Sequence, residues 1–251
     1  MIFSGEKPAV IVPVMDTTVQ SVVESAQAAV AAGADVIEWR IDFLVALHPK
    51  DSFSIVGAEI LAALLEAVDV PLLLTIRTSE QGGQVRVKSA RYGLLLAEIF
   101  DTLLQEQADP ERIGIDFEFW FPEVDYLVGR ANDAGYTAVV SHHDWEETPD
   151  SELLELLFEE ILELPEAVAK IAVTAQSEAD VDRLFAVTGQ VVAETGRTVI
   201  ALAMGEAGSR SRLEGHRHGS VATFAMGKTA SAPGQPTVAQ IREALGRAAN
   251  S

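Results

Sequence analysis

Short apolar runs alternate with longer stretches of helical periodicity from one end of the chain to the other. After Pro8, "AVIVPV" (9–14) predicts a buried strand, and "DTTVQSVVESAQAAVAAGA" an amphipathic helix with Asp16 or Thr17 as its cap and Gly33 closing it. "DVIEWRIDFL" (35–44) predicts a second strand. The loop "HPKDSFSIVG" leads to the helix "AEILAALLEAV" and a third strand, "VPLLLTIRT" (70–78). The same alternation continues through "RIGIDFEF" (112–119), "YTAVVSHHD" (136–144), the run around Lys170, "TVIALAM" (198–204) and "SVATFAM" (220–226). Between them lie the helical stretches 89–107, 123–135, 148–164 and 177–195, and "TVAQIREALGRAAN" closes the chain.

Strands separated by single helices must pair in parallel, because each crossover helix returns the chain to the same end of the sheet. Eight such units predict an α/β fold, a single (β/α)8 TIM-type barrel over residues 1–251, with its working face at the C-terminal ends of the strands. An open doubly wound sheet is the alternative. The first strand-helix turn lacks the G-x-G-x-x-G phosphate fingerprint, which argues against dinucleotide binding.

Composition narrows the picture. The net charge of −20 argues against general affinity for nucleic acid or anionic membrane, and no apolar stretch approaches the ~18 residues of a membrane span. The N-terminal apolar run reads as a first strand rather than a signal peptide, so a cytoplasmic location is expected. Without cysteine there are no disulfides, thiolate metal sites or cysteine nucleophiles. In so acidic a chain, arginines clustered in loops carry information, because an anionic metabolite needs local positive charge. Arg210, Arg212 and Arg217 in "GEAGSRSRLEGHRHGS" form such a cluster.

Lys170 is the residue that most needs explaining. In "LPEAVAKIAVTAQS" it stands among apolar neighbours, where desolvation disfavours an ammonium and favours a neutral, nucleophilic amine able to form an imine with a ketone. Its alternative is a strand-end lysine whose stem packs while the nitrogen reaches water. Strand five ends in His142, His143 and Asp144; adjacent histidines point to opposite faces, so at most one faces the barrel mouth. An imidazole on the strand beside a candidate imine lysine is a suitable base for the neighbouring proton. On strand two, Glu38, Arg40 and Asp42 share a face, as a structural ion network or as ligand contacts. Arg77 ends strand three, and Asp116 and Glu118 read as partners for the inward cations rather than as chemistry.

In this order, "EWRID", "TIRT…GG", "SHHD", "KIAV", "SRLEG" and "SAPGQ" resemble type I 3-dehydroquinate dehydratase, from strand two to the last loop. The resemblance implies an eight-stranded barrel, usually a homodimer, with no metal or organic cofactor. It also implies syn elimination of water from 3-dehydroquinate through a lysine Schiff base, giving 3-dehydroshikimate in the shikimate pathway. Carried over, Lys170 is the imine lysine and His143 the general acid/base. Glu38, Arg40 and Arg77 contact substrate, Arg212 takes its carboxylate, and Ser231 and Gln235 close over the ring. The chain departs from the family at Gln81, in "SEQGG", where a glutamate usually orients the histidine. An amide there can hold the ring but supplies no charge, which leaves two outcomes: Glu80 swings in through a shifted loop, or the protein works with a less basic histidine. Another Schiff-base lyase, aldolase-like, or an impaired substrate-binding relative are the competing readings.

Overall fold

The computed structural model describes residues 1–3, 7–48, 53–229, 231–232 and 234–248. Of the loop expected over 48–57, residues 49–52 lie outside the described residues, as do the last two residues of the closing helix.

Eight strands form one parallel sheet: β1 (Ala9–Val14), β2 (Val36–Arg40), β3 (Leu72–Thr75), β4 (Ile113–Glu118), β5 (Thr137–His143), β6 (Val168–Thr174), β7 (Val199–Met204) and β8 (Ala222–Phe224). Each strand pairs with its sequence neighbour, β8 returns to β1, and an isolated parallel bridge between Val199 and Ser220 joins β7 to the β8 side. This nearly closed (β/α)8 barrel is the TIM-type architecture expected from the alternation. The helices around it are α1 (Val19–Ala31), α2 (Ile41–Leu47), α3 (Phe53–Ala67), α4 (Ser89–Gln105), α5 (Val124–Asp133), α6 (Ser151–Leu162), α7 (Glu178–Thr195), α8 (Ser209–Glu214) and α9 (Val238–Ala248). None of the described helices is long and apolar enough to cross a membrane.

Side chains alternate across each strand, so the barrel has two apolar layers. Outward residues such as Ile37, Trp39, Leu74, Ile115 and Ile171 pack against the helices. Inward residues Ile11, Val36, Leu73, Val139, Val168 and Ile200 fill the lower barrel, whose floor is plugged by Ile2 and Phe3. The Ile2 amide donates to Thr137 Oγ1 at 3.0 Å, and the absent side chain of Gly114 leaves room for the Ile2 chain.

Several boundaries differ from the expectation. The second strand stops at Arg40, and Asp42 belongs to α2 rather than to the strand. "RIDFL" carries no helix-start punctuation, and Arg40 makes no side-chain cap, so nothing local announced the change. The cap of α1 is Thr18, not Asp16 or Thr17; Asp16 accepts instead from Ser25 Oγ at 2.6 Å. Helix α3 begins five residues earlier than expected, at Phe53 rather than Ala58, where Glu98 of α4 accepts the Phe53 N–H at 2.6 Å. Gly33, with φ +101°, closes α1 as expected, because a left-handed residue there suits glycine.

Candidate active site

At the C-terminal mouth of the barrel the inward positions turn from apolar to charged. Lys170 faces Ser141 across the β5–β6 ladder, and His143 stands two residues further along the same face. These side chains line an open cavity of about 500 Å³ with Glu38, Arg40, Arg77, Gln81, Arg212, Ser231 and Gln235. Every residue carried over by resemblance is therefore brought to one place.

Lys170 is only 3% exposed, but its setting is not the apolar one its sequence neighbours suggested. Nζ donates to Asp116 Oδ2 at 2.9 Å and lies 3.7 Å from Glu38 Oε1. The sheet supplies these carboxylates from β4 and β2, which adjacent residues could not reveal. Glu38 is held from β3 by Thr75 Oγ1 at 3.0 Å.

Arg77 lines the cavity, and its two terminal nitrogens are also bonded to the protein. Nη2 donates to Asp116 Oδ1 at 2.6 Å, and Nη1 to Ser141 Oγ at 2.7 Å and, weakly, to Glu118 at 3.5 Å. Burial works against its charge, but Asp116 and Glu118 together outweigh that and push its pKa up. Burial likewise works to raise the Asp116 carboxyl, and Arg77 and Lys170 overcome it, holding Asp116 below the usual range. Burial dominates at Glu118 and pushes it up, although Arg77 and the Thr78 N–H and Oγ1, both at 2.8 Å, bind it. Asp116 and Glu118 are thus partners of the inward cations, as expected. Arg40 grips Asp42 through two bonds, at 2.8 and 2.9 Å, and Asp42 also accepts the Gln84 N–H at 3.0 Å. Although Asp42 lies beyond the strand, α2 folds it back under the guanidinium.

The two histidines separate as the period of two requires. His142 points outward, where its Nδ1 accepts from Trp120 Nε1 at 2.8 Å. His143 points into the cavity, and its buried Nδ1 has no hydrogen-bond partner among the described residues. Burial, joined by the charges of Arg77, Lys170 and Arg40, holds the His143 pKa well below its ordinary value, so the ring is neutral at pH 7.

Gln81 reaches His143 in another way than expected. Its Oε1 accepts the backbone N–H of His143 at 2.7 Å and leaves the ring alone. The reason lies in the loop: Ser79–Gln81 form a single 3₁₀ turn ended by Gly82 at φ +80°, and a Cβ on Gly82 would fall on the indole of Trp145. Trp145 thus packs on the turn and aims Gln81 at the strand backbone. Glu80 does not take Gln81's place. It is exposed, accepts from Ser79 Oγ at 3.0 Å and pairs with Arg86 at 3.4 Å.

The arginine cluster does not survive as a cluster. Arg210 turns outward to Glu178 at 3.0 Å and to Asp182, and Arg217 is exposed. Helix α8 and the 3₁₀ turn Gly215–His218 after it, both unforeseen in the sequence, point these side chains in different directions and leave Arg212 at the cavity, 4% exposed. No carboxylate pairs with Arg212 among the described residues, its Nε has no partner, and burial pushes its pKa down to about 10. An uncompensated buried cation is costly unless a ligand supplies the anion. Ser231 and Gln235 bond to each other across the cavity rim, with Ser231 N–H donating to Gln235 Oε1 at 2.7 Å and Gln235 Nε2 donating to Ser231 Oγ at 3.0 Å.

The sequence reading missed the apolar side of the cavity: Trp145, Ala172, Leu202, Met204 and Phe224. Extending the inward alternation from Lys170 to Ala172, and along 200, 202 and 204, would have found most of them. Trp145 lies past the end of its strand, where alternation has no say.

The sequence model of the family described as Type I 3-dehydroquinase matches residues 10–250. A 3-dehydroquinate dehydratase of Klebsiella pneumoniae is 32% identical over 244 residues, covering 97% of this chain and 94% of the relative. Among solved structures, the type I 3-dehydroquinate dehydratase of Clostridium difficile with covalent modified comenic acid superposes with a TM-score of 0.87 at 28% identity, over 98% of this chain and 94% of that one. The 3-dehydroquinate dehydratase of Geobacillus kaustophilus does so at 0.85 and 27%, over 98% and 93%.

Proposed function

The chain belongs to the type I 3-dehydroquinase family, which dehydrates 3-dehydroquinate in the shikimate pathway, and from that premise we propose that Lys170 and His143 carry out the reaction by a Schiff base. The supporting observation is the placement of a buried lysine, a neutral histidine and an unpaired buried arginine around one cavity.

The substrate carboxylate meets Arg212, which has no competing anion among the described residues, in a charge-assisted and geometrically specific contact. Glu38 and the free edge of Arg40 take ring hydroxyls. Arg77 holds Asp116 in place through Nη2 and Ser141 through Nη1, and its remaining N–H groups face the substrate from the cavity wall. Ser231 and Gln235 exchange their mutual bonds for substrate hydroxyls as the rim closes.

As the ketone arrives, Nζ of Lys170 gives a proton to neutral His143 and attacks the carbonyl carbon. The C–N bond forms, the ketone oxygen leaves as water with one proton from the attacking nitrogen and one from His143, and a protonated imine bearing a single N–H remains. His143, neutral again, takes the adjacent C–H proton, and the electron pair flows toward nitrogen. His143 returns that proton to the departing hydroxyl, which leaves as a second water while the pair moves back to restore the imine. One water then hydrolyses the imine, releasing 3-dehydroshikimate and the lysine ammonium, so one water is lost overall. Gln81 acts through the strand backbone, fixing where the imidazole sits without charging it.

On the same premise we take the working state to be a cytoplasmic homodimer of single-domain barrels, residues 1–251, needing no cofactor. Sedimentation at assay concentration tests the assembly; a monomer with full activity would count against it. Ultraviolet absorbance of the conjugated product tests the reaction. Native protein should generate it, and Lys170→Met should not; an active Lys170→Met protein would overturn the assignment.

A further inference from the structure

On the wall of the cavity away from the carboxylates, Phe224 turns the face of its ring toward Lys170, with Nζ 4.6 Å from the ring centroid. The ring is 5% exposed and is fixed by β8, which pairs Phe224 with Ile11 of β1. On its other side Nζ has Asp116 at 2.9 Å and Glu38 at 3.7 Å.

An ammonium has three N–H donors, enough for both carboxylates and a substrate atom. A protonated imine has one. When the nitrogen becomes trigonal it gives up most of its hydrogen bonding but keeps its positive charge. An aromatic face attracts a cation through its quadrupole and needs no N–H to do so. Its contribution therefore persists through the change of geometry that weakens the carboxylate contacts.

We propose that Phe224 is a third partner of the reacting nitrogen, holding the positive charge of the imine so that it stays protonated and able to draw electrons from the neighbouring carbon. The inference rests on the reading of Lys170 as the imine-forming residue. The ring makes and breaks no bond: the imine proton stays on nitrogen, the electron pair of the broken C–H bond moves into the C–C=N system, and loss of hydroxide as water returns the cation to the ring's face. A neutral imine would be a poor electron sink, so the ring's influence is felt where the solution is alkaline enough to take that proton.

The test replaces Phe224 by a ring-trifluorinated phenylalanine, nearly the same in shape but with most of the face potential removed, alongside Phe224→Tyr and Phe224→Leu. Protein turning over 3-dehydroquinate is reduced with borohydride, the fraction carrying adduct on Lys170 is read by mass, and kcat is measured against pH. The expected result is an adduct fraction about ten-fold lower in the fluorinated protein, with the alkaline limb of kcat about one pH unit lower. Phe224→Tyr, which keeps the aromatic face, should trap more adduct and hold a higher alkaline limb than Phe224→Leu, and Phe224→Leu should fall to the level of the fluorinated protein. Should fluorination prevent folding, the Tyr and Leu variants decide by the same ordering. Equal trapping and an unmoved alkaline limb in native, fluorinated and Leu proteins would overturn the role of Phe224 while leaving Lys170 standing. Absence of any adduct on Lys170 in the native protein would instead remove the reading beneath it.

Discussion

The inner wall of the barrel mouth has two unlike halves. From β2 to β6 the upper inward positions are Glu38, Arg40, Arg77, Asp116, Glu118, Ser141, His143 and Lys170, while β7, β8 and β1 present Leu202, Met204, Phe224 and Pro13 there. On the charged half nearly every group is answered by another: Arg77 by Asp116, Arg40 by Asp42, Lys170 by Asp116 and Glu38. On the apolar half the charge, Arg212, comes from α8 rather than from a strand and has no such answer among the described residues. The contrast teaches that the number of charges in a cavity is a poor guide to ligand binding. On the proposed reading, the binding group is a buried charge the protein leaves unbalanced, and the reacting group is a nucleophile that touches both halves.

The largest expected effect comes from the charged half. Lys170→Met should lower turnover by on the order of a thousand-fold or more, because the covalent route has no substitute nucleophile. Circular dichroism should show the fold retained, since methionine fills similar space, although Asp116 then loses one of its cations.

On the apolar half, Arg212→Met separates binding from stability. Loss of a charged contact to the substrate carboxylate should lower kcat/KM by about a hundred-fold. The same change removes an uncompensated buried cation and should stabilise the folded protein by on the order of 1 kcal/mol, seen as a higher Tm. A variant less active and also less stable would mean that Arg212 has a protein partner after all, and the two halves would differ less than they do here.

Within the charged half, the turn at Gly82 after β3 carries Trp145 packed upon it. Gly82→Ala imposes a side chain at φ +80° and collides with Trp145, and should cost about 1 to 3 kcal/mol in urea unfolding. Displacing the turn also releases the Gln81 contact to His143, so kcat should fall more than KM rises.

The smallest effect concerns His143. Its folded-state pKa lies below the unfolded one, so its protonation opposes both activity and folding, and the loss sets in only as pH falls below about 6.5. The acid limb of kcat/KM in the native protein should therefore lie under that value. Gln81→Glu adds a negative charge beside the imidazole and should move the limb upward while preserving or raising turnover near neutral pH. A complete loss of activity in Gln81→Glu would refute the assignment of that position.

The barrel was legible because its signals are repetitive. The inward alternation at 36, 38 and 40, and at 168, 170 and 172, needs only the period of two, and parallel pairing follows from the helices between strands. Positions set by tertiary contact were not legible. Asp42 reads as a strand residue because nothing in "RIDFL" separates a strand from a helix start, and α3 begins where Glu98 of another helix receives its first N–H. The arginine cluster looked like a single anion site because spacing along the chain does not say that α8 will turn Arg210 toward α7. Gln81 was found through the family pattern, but its partner depends on Trp145 leaning on Gly82, sixty-three positions earlier in the chain.

The most direct measurement is the peptide map of native protein reduced with borohydride during turnover. The chain has five lysines, Lys7, Lys50, Lys88, Lys170 and Lys228, so the mass of an adduct can be assigned without ambiguity. The account predicts substrate-derived mass on the peptide containing Lys170 and on no other, and its disappearance in Lys170→Met. Adduct on Lys228, or product formation by protein that never traps, would contradict it.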